Sequence, residues 1–201
     1  MIRVLIAEDQ AMVRGALSAL LSREPDIEVV AEVARGDEVM QAALAARPDV
    51  ALLDIEMPGS DGITAAQALR KALPTCHSVI LTTFGRSGYL RRAMESGAMG
   101  FLLKDAPASE LAVALRRVMK NERVVDPDLA LAALHEGSNP LTSRERDVLS
   151  ASLFGASLAE IAARLYLSEG TVRNHLSTAM QKLGAQNRME AARLAEQKGW
   201  L

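Results

Sequence analysis

Two hydrophobic periodicities divide the chain into a longer N-terminal part and a shorter C-terminal part. Over the first 120 residues, short continuous apolar runs alternate with stretches in which apolar residues recur every three or four positions. The runs predict buried β-strands and the stretches predict amphipathic helices. Strands are expected at Ile2–Ala7, Ile27–Val33, Val50–Leu53, Val79–Thr82 and Gly100–Leu103. Helices are expected at Ala11–Leu21, Asp37–Ala46, Ile63–Ala72, Tyr89–Glu95 and Ser109–Met119.

The repeated order of strand followed by helix predicts an α/β fold, a doubly wound parallel sheet with helices on both faces. The predicted strands are apolar along nearly their whole length, as expected when helices cover both faces of a sheet. Prolines fall between the predicted elements, where they interrupt no helix or strand. We therefore expect residues 1–120 to form one domain.

The pattern changes after residue 120. Residues 121–138 predict a linker that contains one short helix, Asp128–His135. From residue 139 to residue 201 only helical patterns follow, and they predict a small all-α domain. Its first helix begins near Thr142, with Glu145 placed for a capping box. The further helices are expected at Leu158–Leu165, Glu169–Leu183 and Met189–Lys198.

The composition narrows the classes of protein. No apolar stretch approaches the roughly 18–20 residues that a membrane span needs. The N-terminus also lacks the basic region and apolar run of a secretory signal. The single cysteine, Cys76, excludes an internal disulfide and fits a reducing compartment. We therefore expect a cytoplasmic protein without membrane insertion.

Four charged residues fall at the ends of predicted strands. Asp54 ends the run "VALLD", Glu8 and Asp9 follow "IRVLIA", and Lys104 follows "GFLL". Open α/β sheets keep their chemistry outside the carboxyl ends of the strands. Paired acids at a strand end more often cap a helix start, but three acids that converge with a lysine predict a site for a divalent metal and a phosphate.

A second pattern, in residues 157–183, predicts a helix-turn-helix. A first helix with one apolar face leads into the tight turn "LSE", where Ser168 is placed to cap the next helix. That second helix has a buried stripe and an opposite polar face. The stripe is Val172, Leu176, Met180 and Leu183, and the polar face is Arg173, Asn174, Ser177 and Thr178. Arginine and asparagine pair bidentately with guanine and adenine edges in the major groove. A plain helical bundle with a solvated face is the alternative.

The charge distribution adds little to this prediction. The net charge is −2, but residues 139–201 carry eight basic and six acidic side chains, which leaves +2 there and −4 on the remainder. This asymmetry alone is weak evidence for nucleic-acid binding.

Nearly the whole chain resembles a two-component response regulator of the NarL/FixJ type, which joins a flavodoxin-like receiver domain to a LuxR-type helix-turn-helix domain. The receiver motifs are "ED" at residue 8, "DIEMPGSDG" around Asp54, "LTTF" and "GFLLKD". The C-terminal motifs are "LTSRERDVL", "EIAARLYLSEGTVRNHLSTAMQKLG" and "NRMEAARLAEQKGWL". The strings "IAEDQ", "ILTTFGRSGY" and "GTVRN" are similar to the DesR branch of this family.

The resemblance implies that Asp54 is the phosphoacceptor and that Mg²⁺, or Mn²⁺, binds beside it. Asp9, Asp54 and the backbone carbonyl of Glu56 would be direct ligands, and Glu8 would act through water. By the same resemblance, Lys104 and Thr82 would contact the phosphoryl oxygens of phosphorylated Asp54. Phe101 would be the switch aromatic, and the alternative is a plain core residue.

Two features depart from the family pattern. Many receivers have proline directly after the lysine, joined by a cis peptide, whereas Asp105 follows Lys104 here. Glu56 stands two residues beyond the acceptor, where it would disfavour attacking water or pair with Lys104 in the resting protein.

For the C-terminal domain, the resemblance places Arg173, Asn174 and Ser177 in the major groove, next to Thr178. Thr171 and Arg188 would contact phosphates. The implied partners are a sensor histidine kinase, double-stranded promoter DNA, RNA polymerase and a second copy of the chain. Phosphorylation would promote the dimer through Met12–Leu21 with Ala108–Met119, and the dimer would bind paired half-sites.

The implied protein is a regulator and not an enzyme, beyond accepting phosphate from a phosphohistidine. One alternative is a phosphohydrolase of the haloacid-dehalogenase type with Asp54 as the nucleophile. Such enzymes have a second acid two positions later as the general acid, and here that residue is Glu56 rather than aspartate. Another alternative is a protein-binding output without a DNA role.

Overall fold

The structure is a computed structural model, and it describes residues 1–83, 87–105, 108–127, 129–131, 139–153 and 155–201. The described residues fall into two compact units, the first containing the sheet and the second containing the C-terminal helices. Within the described residues, no helix combines the length and the apolar character needed to span a bilayer.

The first unit contains a parallel six-stranded sheet with the strand order β2-β1-β3-β4-β5-β6. The strands are β1 (Ile2–Ala7), β2 (Ile27–Val33), β3 (Val50–Asp54), β4 (His77–Thr82), β5 (Gly100–Leu103) and β6 (Val124–Val125). The helices of this unit are α1 (Ala11–Leu21), α2 (Val39–Ala46, after a 3₁₀ turn at Gly36–Glu38), α3 (Gly62–Ala72), α4 (Ser87–Ser96) and α5 (Ala108–Val118). The predicted doubly wound α/β fold is confirmed.

The core of this unit follows from the alternation of side chains along each strand. Val4, Ile6 and Leu52 point to one face of the sheet, where they pack with Leu21 of α1 and Leu115 of α5. Two further helices cover the sheet: α2 packs against β1 and β2, and α3 packs against β3 and β4. Coverage of both faces explains why the central strands are mainly apolar, as in β3, where every residue is buried.

The sixth strand, β6, was not predicted. Val124 pairs with Gly100 and Val125 with Phe101, so β6 extends the sheet beyond β5. The strand lies inside residues 121–138, which the sequence predicts as a linker. Two residues are too few to show a periodicity, and their pairing is a tertiary contact. Of the predicted helix Asp128–His135, only residues 129–131 are described, and these are helical; the remainder lies outside the described residues.

The second unit is all-helical, with α6 (Ser143–Ser152), α7 (Leu158–Leu165), α8 (Glu169–Leu183) and α9 (Arg188–Gln197). Side-chain caps fix the start of each helix. Thr142 with Glu145 and Ser157 with Glu160 form capping boxes, and Ser168 caps α8. The core contains residues of all four helices and the near-terminal tryptophan, among them Val148, Leu149, Ile161, Val172, Leu176, Ala191 and Trp200.

Candidate functional site

The predicted acidic site lies at the carboxyl ends of neighbouring strands. In the β1–β3 ladder Ala7 pairs with Leu53, so the next residues, Glu8 and Asp54, emerge side by side. Glu8 is 1% exposed and Asp54 is 5% exposed, whereas the neighbouring Asp9 is exposed. The sheet therefore places two carboxylates inside the protein and one at its surface.

These three acids form a set of oxygen donors that fits a small divalent cation. Carboxylate oxygens of Glu8, Asp9 and Asp54 lie within 4.8 Å of one another. Mg²⁺ binds oxygen at about 2.1 Å, so ligands on opposite sides of the ion are about 4.2 Å apart. The observed spacing is therefore close to that of ligands around one Mg²⁺ or Mn²⁺ ion.

Lys104 neutralises part of the negative charge in this site. Its Nζ lies 2.6 Å from Glu8 Oε2 and 3.1 Å from Asp54 Oδ2, and its side chain is 9% exposed. The lysine reaches both acids because β5 ends beside β4, where the Lys104 amide donates to the Thr82 carbonyl at 2.8 Å. One ammonium group is thus shared by two buried carboxylates.

Burial and the lysine act in opposite directions on the acceptor carboxyl. Burial raises the pKa of Asp54 to about 6, although the hydrogen bond and charge of Lys104 lower it. For Lys104, burial lowers the pKa, but the hydrogen bonds to Glu8 and Asp54 outweigh this effect, so that the pKa is raised. The lysine therefore stays charged, and the Asp54 carboxylate is destabilised relative to an exposed aspartate.

Backbone contacts orient the acids. The Ile55 N–H donates to Asp54 Oδ1 at 2.8 Å, and the other carboxylate oxygen, Oδ2, faces Lys104. The Gln10 N–H donates to Glu8 Oε1 at 3.2 Å, and Arg14 Nη1 donates to the Glu8 carbonyl at 2.6 Å. The sequence offered no signal for the Arg14 contact, because it joins a helix face to a backbone oxygen.

The remaining predicted receiver residues lie on β4, on β5 and just after β3. Thr82 is 1% exposed at the end of β4, and Phe101 is fully buried on β5, so Phe101 is a core aromatic in this conformation. The Glu56 side chain is exposed, and Lys104 pairs with Glu8 and Asp54 rather than with it. The Lys104–Asp105 peptide is trans.

The predicted recognition helix is α8. Val172, Leu176 and Ala179 are buried, and Met180 and Leu183 pack against the same core. The opposite face is solvent-exposed and consists of Arg173, Asn174, Ser177 and Thr178. Thr171 and Arg188 are half-buried. The helix thus presents the predicted polar face as one continuous surface.

The start of α8 is held by its cap. Ser168 Oγ accepts from the Thr171 N–H at 3.1 Å and lies 2.8 Å from Thr171 Oγ1. The hydroxyl of Thr171 is therefore already engaged with Ser168, and a phosphate at this point would meet a preformed pair of hydroxyls.

An ion pair between a buried glutamate and a partly exposed lysine anchors the other end of α8. Lys182 Nζ lies 3.0 Å from Glu145 Oε1 and 2.8 Å from Oε2, and Glu145 is 4% exposed. The sequence identified Glu145 as a capping residue but gave no sign of Lys182, because the lysine follows it by 37 residues. This pair joins α6 to the recognition helix.

Comparisons with known proteins agree with this geometry. Residues 4–116 match the response regulator receiver domain, and residues 139–195 match the LuxR family of bacterial regulatory proteins. The chain therefore belongs to the two-component response regulators that carry a LuxR-type DNA-binding domain, as the resemblance to the NarL/FixJ type predicted.

Particular relatives match along the whole chain. The uncharacterized transcriptional regulatory protein YvfU of Bacillus subtilis (strain 168) is 46% identical over 201 residues, covering 100% of both chains. The transcriptional regulatory protein DesR of the same strain is 44% identical over 200 residues, covering 100% of this chain and 99% of DesR. Among solved structures, the response regulator ChrA of a heme-sensing two-component system is 37% identical, with a TM-score of 0.59, and the alignment covers 100% of this chain and 98% of ChrA.

Proposed function

We propose that this protein is a phosphorylation-activated transcription regulator in which Asp54 accepts phosphate from a sensor histidine kinase. The observation that carries the proposal is the pairing of Lys104 with both Glu8 and Asp54 at the edge of the sheet. Three carboxylates around one lysine leave surplus negative charge, which a divalent cation would compensate. Membership of the receiver family favours this function over the phosphohydrolase alternative.

The residues around Asp54 are suited to phosphoryl transfer. A carboxylate oxygen of Asp54 would attack the phosphorus, and the bond from phosphorus to the donor histidine would break, with its electron pair returning to the histidine nitrogen. The Ile55 N–H bond to Oδ1 fixes the orientation of the carboxylate during this step. When bound by Asp9, Asp54 and the Glu56 carbonyl, with Glu8 acting through water, Mg²⁺ would neutralise and orient the phosphoryl oxygens.

Phosphorylation would change the partner of Lys104. A phosphoryl group on Asp54 offers the ammonium group new anionic oxygens, so the lysine would move from the carboxylates to the phosphate. The Thr82 hydroxyl, at the end of the adjacent strand, would donate to another phosphoryl oxygen. Phe101 would then rotate into the space that Thr82 vacates, which shifts the population between two conformations.

Lys104 also connects the phosphorylation site to a surface suited to dimerisation. It lines an apolar groove of about 360 Å³ between α1 and α5, together with Met12, Leu20 and Leu111. Met12 is 88% exposed, and apart from the adjacent residues and the backbone of α1 itself, no atom lies within 4 Å of the position that a Cβ on Gly15 would occupy. A second copy of the chain could therefore approach α1 closely, and its apolar side chains would fill the groove.

The dimer would place two recognition helices on promoter DNA. Arg173 and Asn174 would read base edges with Ser177 and Thr178, while Thr171 and Arg188 would contact phosphates. Because the helical domain carries a net charge of only +2, a monomer should bind weakly at physiological salt. Two copies on half-sites about one helical turn apart would double the contacts. DNA binding by the structurally similar RcsB, which has a TM-score of 0.67, is consistent with this fold as a DNA-binding scaffold.

The proposal is tested by phosphate incorporation. Purified protein incubated with acetyl phosphate and Mg²⁺ should incorporate up to one equivalent of phosphate, and Asp54→Asn should incorporate none, because the amide is not a nucleophile for phosphorus. Labelling of Asp54→Asn at one equivalent would contradict the assignment. Repeated turnover of a simple phosphate ester would instead support the phosphohydrolase.

DNA binding, the proposed output of the protein, is tested by selecting genomic DNA fragments that bind the full-length protein. The selection is made with and without beryllofluoride and Mg²⁺ as a phosphate mimic. Enrichment of a paired site with the mimic alone is the expected result, and Arg173→Ala should weaken binding by about 1–3 kcal/mol. Equal enrichment under both conditions would remove phosphorylation as the control of DNA binding. No enrichment under either condition would favour a protein-binding output.

A further inference from the structure

Tyr166 occupies an unusual position in the turn between α7 and α8. Its side chain is 95% exposed, and its backbone is left-handed, with φ 55° and ψ 47°. It ends α7, and its N–H donates to the carbonyls of Ala162 and Ala163. A large aromatic side chain in this conformation, with almost no contact to its own protein, has no stabilising role that the fold explains.

The same helical unit uses glycine at its other left-handed positions. Among its described residues, positive φ angles occur at Gly155, Gly184 and Gly199, and Tyr166 is the exception. Gly184 is the closest match, because it ends α8 with φ 65° and ψ 24°. Glycine adopts this conformation without the steric cost that a Cβ brings. The left-handed backbone conformation therefore disfavours a tyrosine at position 166, and does not explain why one is present.

The contacts of its neighbours position Tyr166 just before the start of the recognition helix. Its neighbours Leu165 and Leu167 pack against the core of the helical unit, and the Leu167 N–H donates to the Ala162 carbonyl at 2.9 Å. Ser168, two residues later, caps α8. A side chain displayed on this turn is thus adjacent to the end of α8 that is proposed to meet DNA.

The chemistry of the surface favours the DNA backbone as the partner. Half or more of the hydrogen bonds in protein–DNA complexes go to phosphates and sugars, and tyrosine is among the residues that make them. Residues 139–201 have a net charge of only +2, so neutral donors would add usefully to the phosphate contacts of their eight basic side chains. A phenol can donate to a phosphate oxygen while its ring packs on the deoxyribose.

We propose that Tyr166 is a DNA-backbone contact of the helix-turn-helix, with the phenol directed to a phosphate next to the recognition site. This inference rests on the DNA-binding function proposed above. If it is correct, Tyr166 contributes to DNA binding and adds nothing to the stability of the fold.

The test measures binding and stability on the same full-length variants, Tyr166→Gly and Tyr166→Phe, in the presence of beryllofluoride and Mg²⁺. We expect Tyr166→Gly to weaken binding to the selected DNA about 5- to 30-fold, with an equal effect on a scrambled duplex. Tyr166→Phe should weaken binding about 3- to 10-fold, which is the part due to the hydroxyl. The unfolding midpoint of Tyr166→Gly, followed by Trp200 fluorescence, should stay within about 3 °C of wild type or rise.

The salt dependence distinguishes this contact from a charged one. Because the phenol is neutral, Tyr166→Gly should leave the slope of log K against log salt unchanged, whereas Arg188→Ala should reduce that slope by about 1. A lower unfolding midpoint of Tyr166→Gly together with weaker binding would mean a structural role and would overturn the proposal. Unchanged affinity would also overturn it and would assign the side chain to a protein partner.

Two outcomes distinguish the Tyr166 contact from the DNA-binding function on which it depends. Wild-type protein that binds no DNA under any condition would overturn the DNA-binding function and this inference together. Wild-type protein that binds DNA, is weakened by Arg173→Ala and is unaffected by Tyr166→Gly would overturn the inference alone.

Discussion

Both units of the molecule bury a glutamate next to a lysine, and the two pairs differ in how completely they are neutralised. In the receiver, Glu8 is 1% exposed and lies 2.6 Å from Lys104 Nζ. In the helical unit, Glu145 is 4% exposed and lies 2.8 Å from Lys182 Nζ. The residue types, the distances and the burial of the two glutamates are nearly the same, but the Lys104 side chain is 9% exposed and the Lys182 side chain is 31% exposed. The function of each pair is decided by its other contacts.

Glu145 has a complete set of partners. Lys182 contacts both carboxylate oxygens, and the Thr142 N–H donates to Oε2 at 2.7 Å. The lysine is about one-third exposed, so part of its charge remains solvated. One acid faces one base, and the capping box uses the remaining acceptor capacity. This pair fixes α6 against the recognition helix.

The charge of Glu8 is incompletely neutralised. Its lysine is shared with Asp54 at 3.1 Å, and Asp9 adds a third carboxylate nearby. Buried like charges are costly unless a cation neutralises them, so the surplus reduces the stability of the resting receiver. In this molecule the balanced pair, Glu145 with Lys182, joins two helices, whereas the unbalanced pair, Glu8 with Lys104, belongs to an acidic cluster that could hold a metal ion.

The largest effect is expected from Glu145→Gln, which leaves Lys182 without its counter-charge. We expect the free energy of unfolding of the helical unit to fall by about 2 kcal/mol, below the 3–5 kcal/mol typical of fully buried pairs because Lys182 is partly exposed. Trp200, the chain's single tryptophan, lies in the core of this unit, so its fluorescence during denaturant unfolding reports this change selectively.

Glu160→Gln is the matched control for this variant. Glu160 has the same capping-box geometry, with the Ser157 N–H donating to Oε2 at 2.7 Å, but it is exposed and has no ion pair among the described residues. Its replacement should change the free energy of unfolding by about 0.5 kcal/mol or less. Equal losses for the two variants would assign the effect to capping and contradict the importance of the Lys182 pair.

The second prediction is that Glu8→Gln, unlike Glu145→Gln, changes metal binding and not stability. Removing one surplus carboxylate should leave the stability of the receiver unchanged or slightly higher, because Lys104 keeps Asp54 as a partner. Mg²⁺ affinity, measured by calorimetric titration, should fall about 10- to 100-fold, as expected for a group that orients the ligands of a metal. Glu56→Gln is the control: its backbone carbonyl is the predicted ligand, so affinity should change less than about threefold. An equal loss in both variants would show that overall charge, and not Glu8, controls binding.

The comparison also shows what the sequence could predict. The strands β1, β2 and β5 and the helices α1, α7 and α8 begin and end where the hydrophobic pattern places them, because that pattern records which face is buried. The cluster of Glu8, Asp9, Asp54 and Lys104 was predictable because parallel strands end at the same edge of a sheet.

What the sequence missed depends on contacts between distant segments. β6 is two residues long and exists only through its pairing with β5. Lys182 looks like an ordinary polar position on α8, and only the packing of α6 brings Glu145 to it. The conformation of Tyr166 is set by the α7–α8 turn, although a tyrosine gives no local signal for positive φ.

The smallest predicted effect is a pH dependence confined to the balanced pair. Burial raises the pKa of Glu145, but the hydrogen bonds from Lys182 and Thr142 outweigh it and hold the pKa below the ordinary value of 4.5. A carboxyl with a lowered pKa in the folded state stabilises the protein above the unfolded pKa, and this stabilisation is lost as the pH falls through the folded pKa. The gap in unfolding free energy between wild type and Glu145→Gln should therefore be constant near neutral pH and narrow once the pH falls below about 4.5. Other carboxyls titrate in both proteins, so the difference between the two Trp200 unfolding curves isolates Glu145. A gap that stays constant to lower pH would mean that Glu145 stabilises the helical unit through packing rather than through charge.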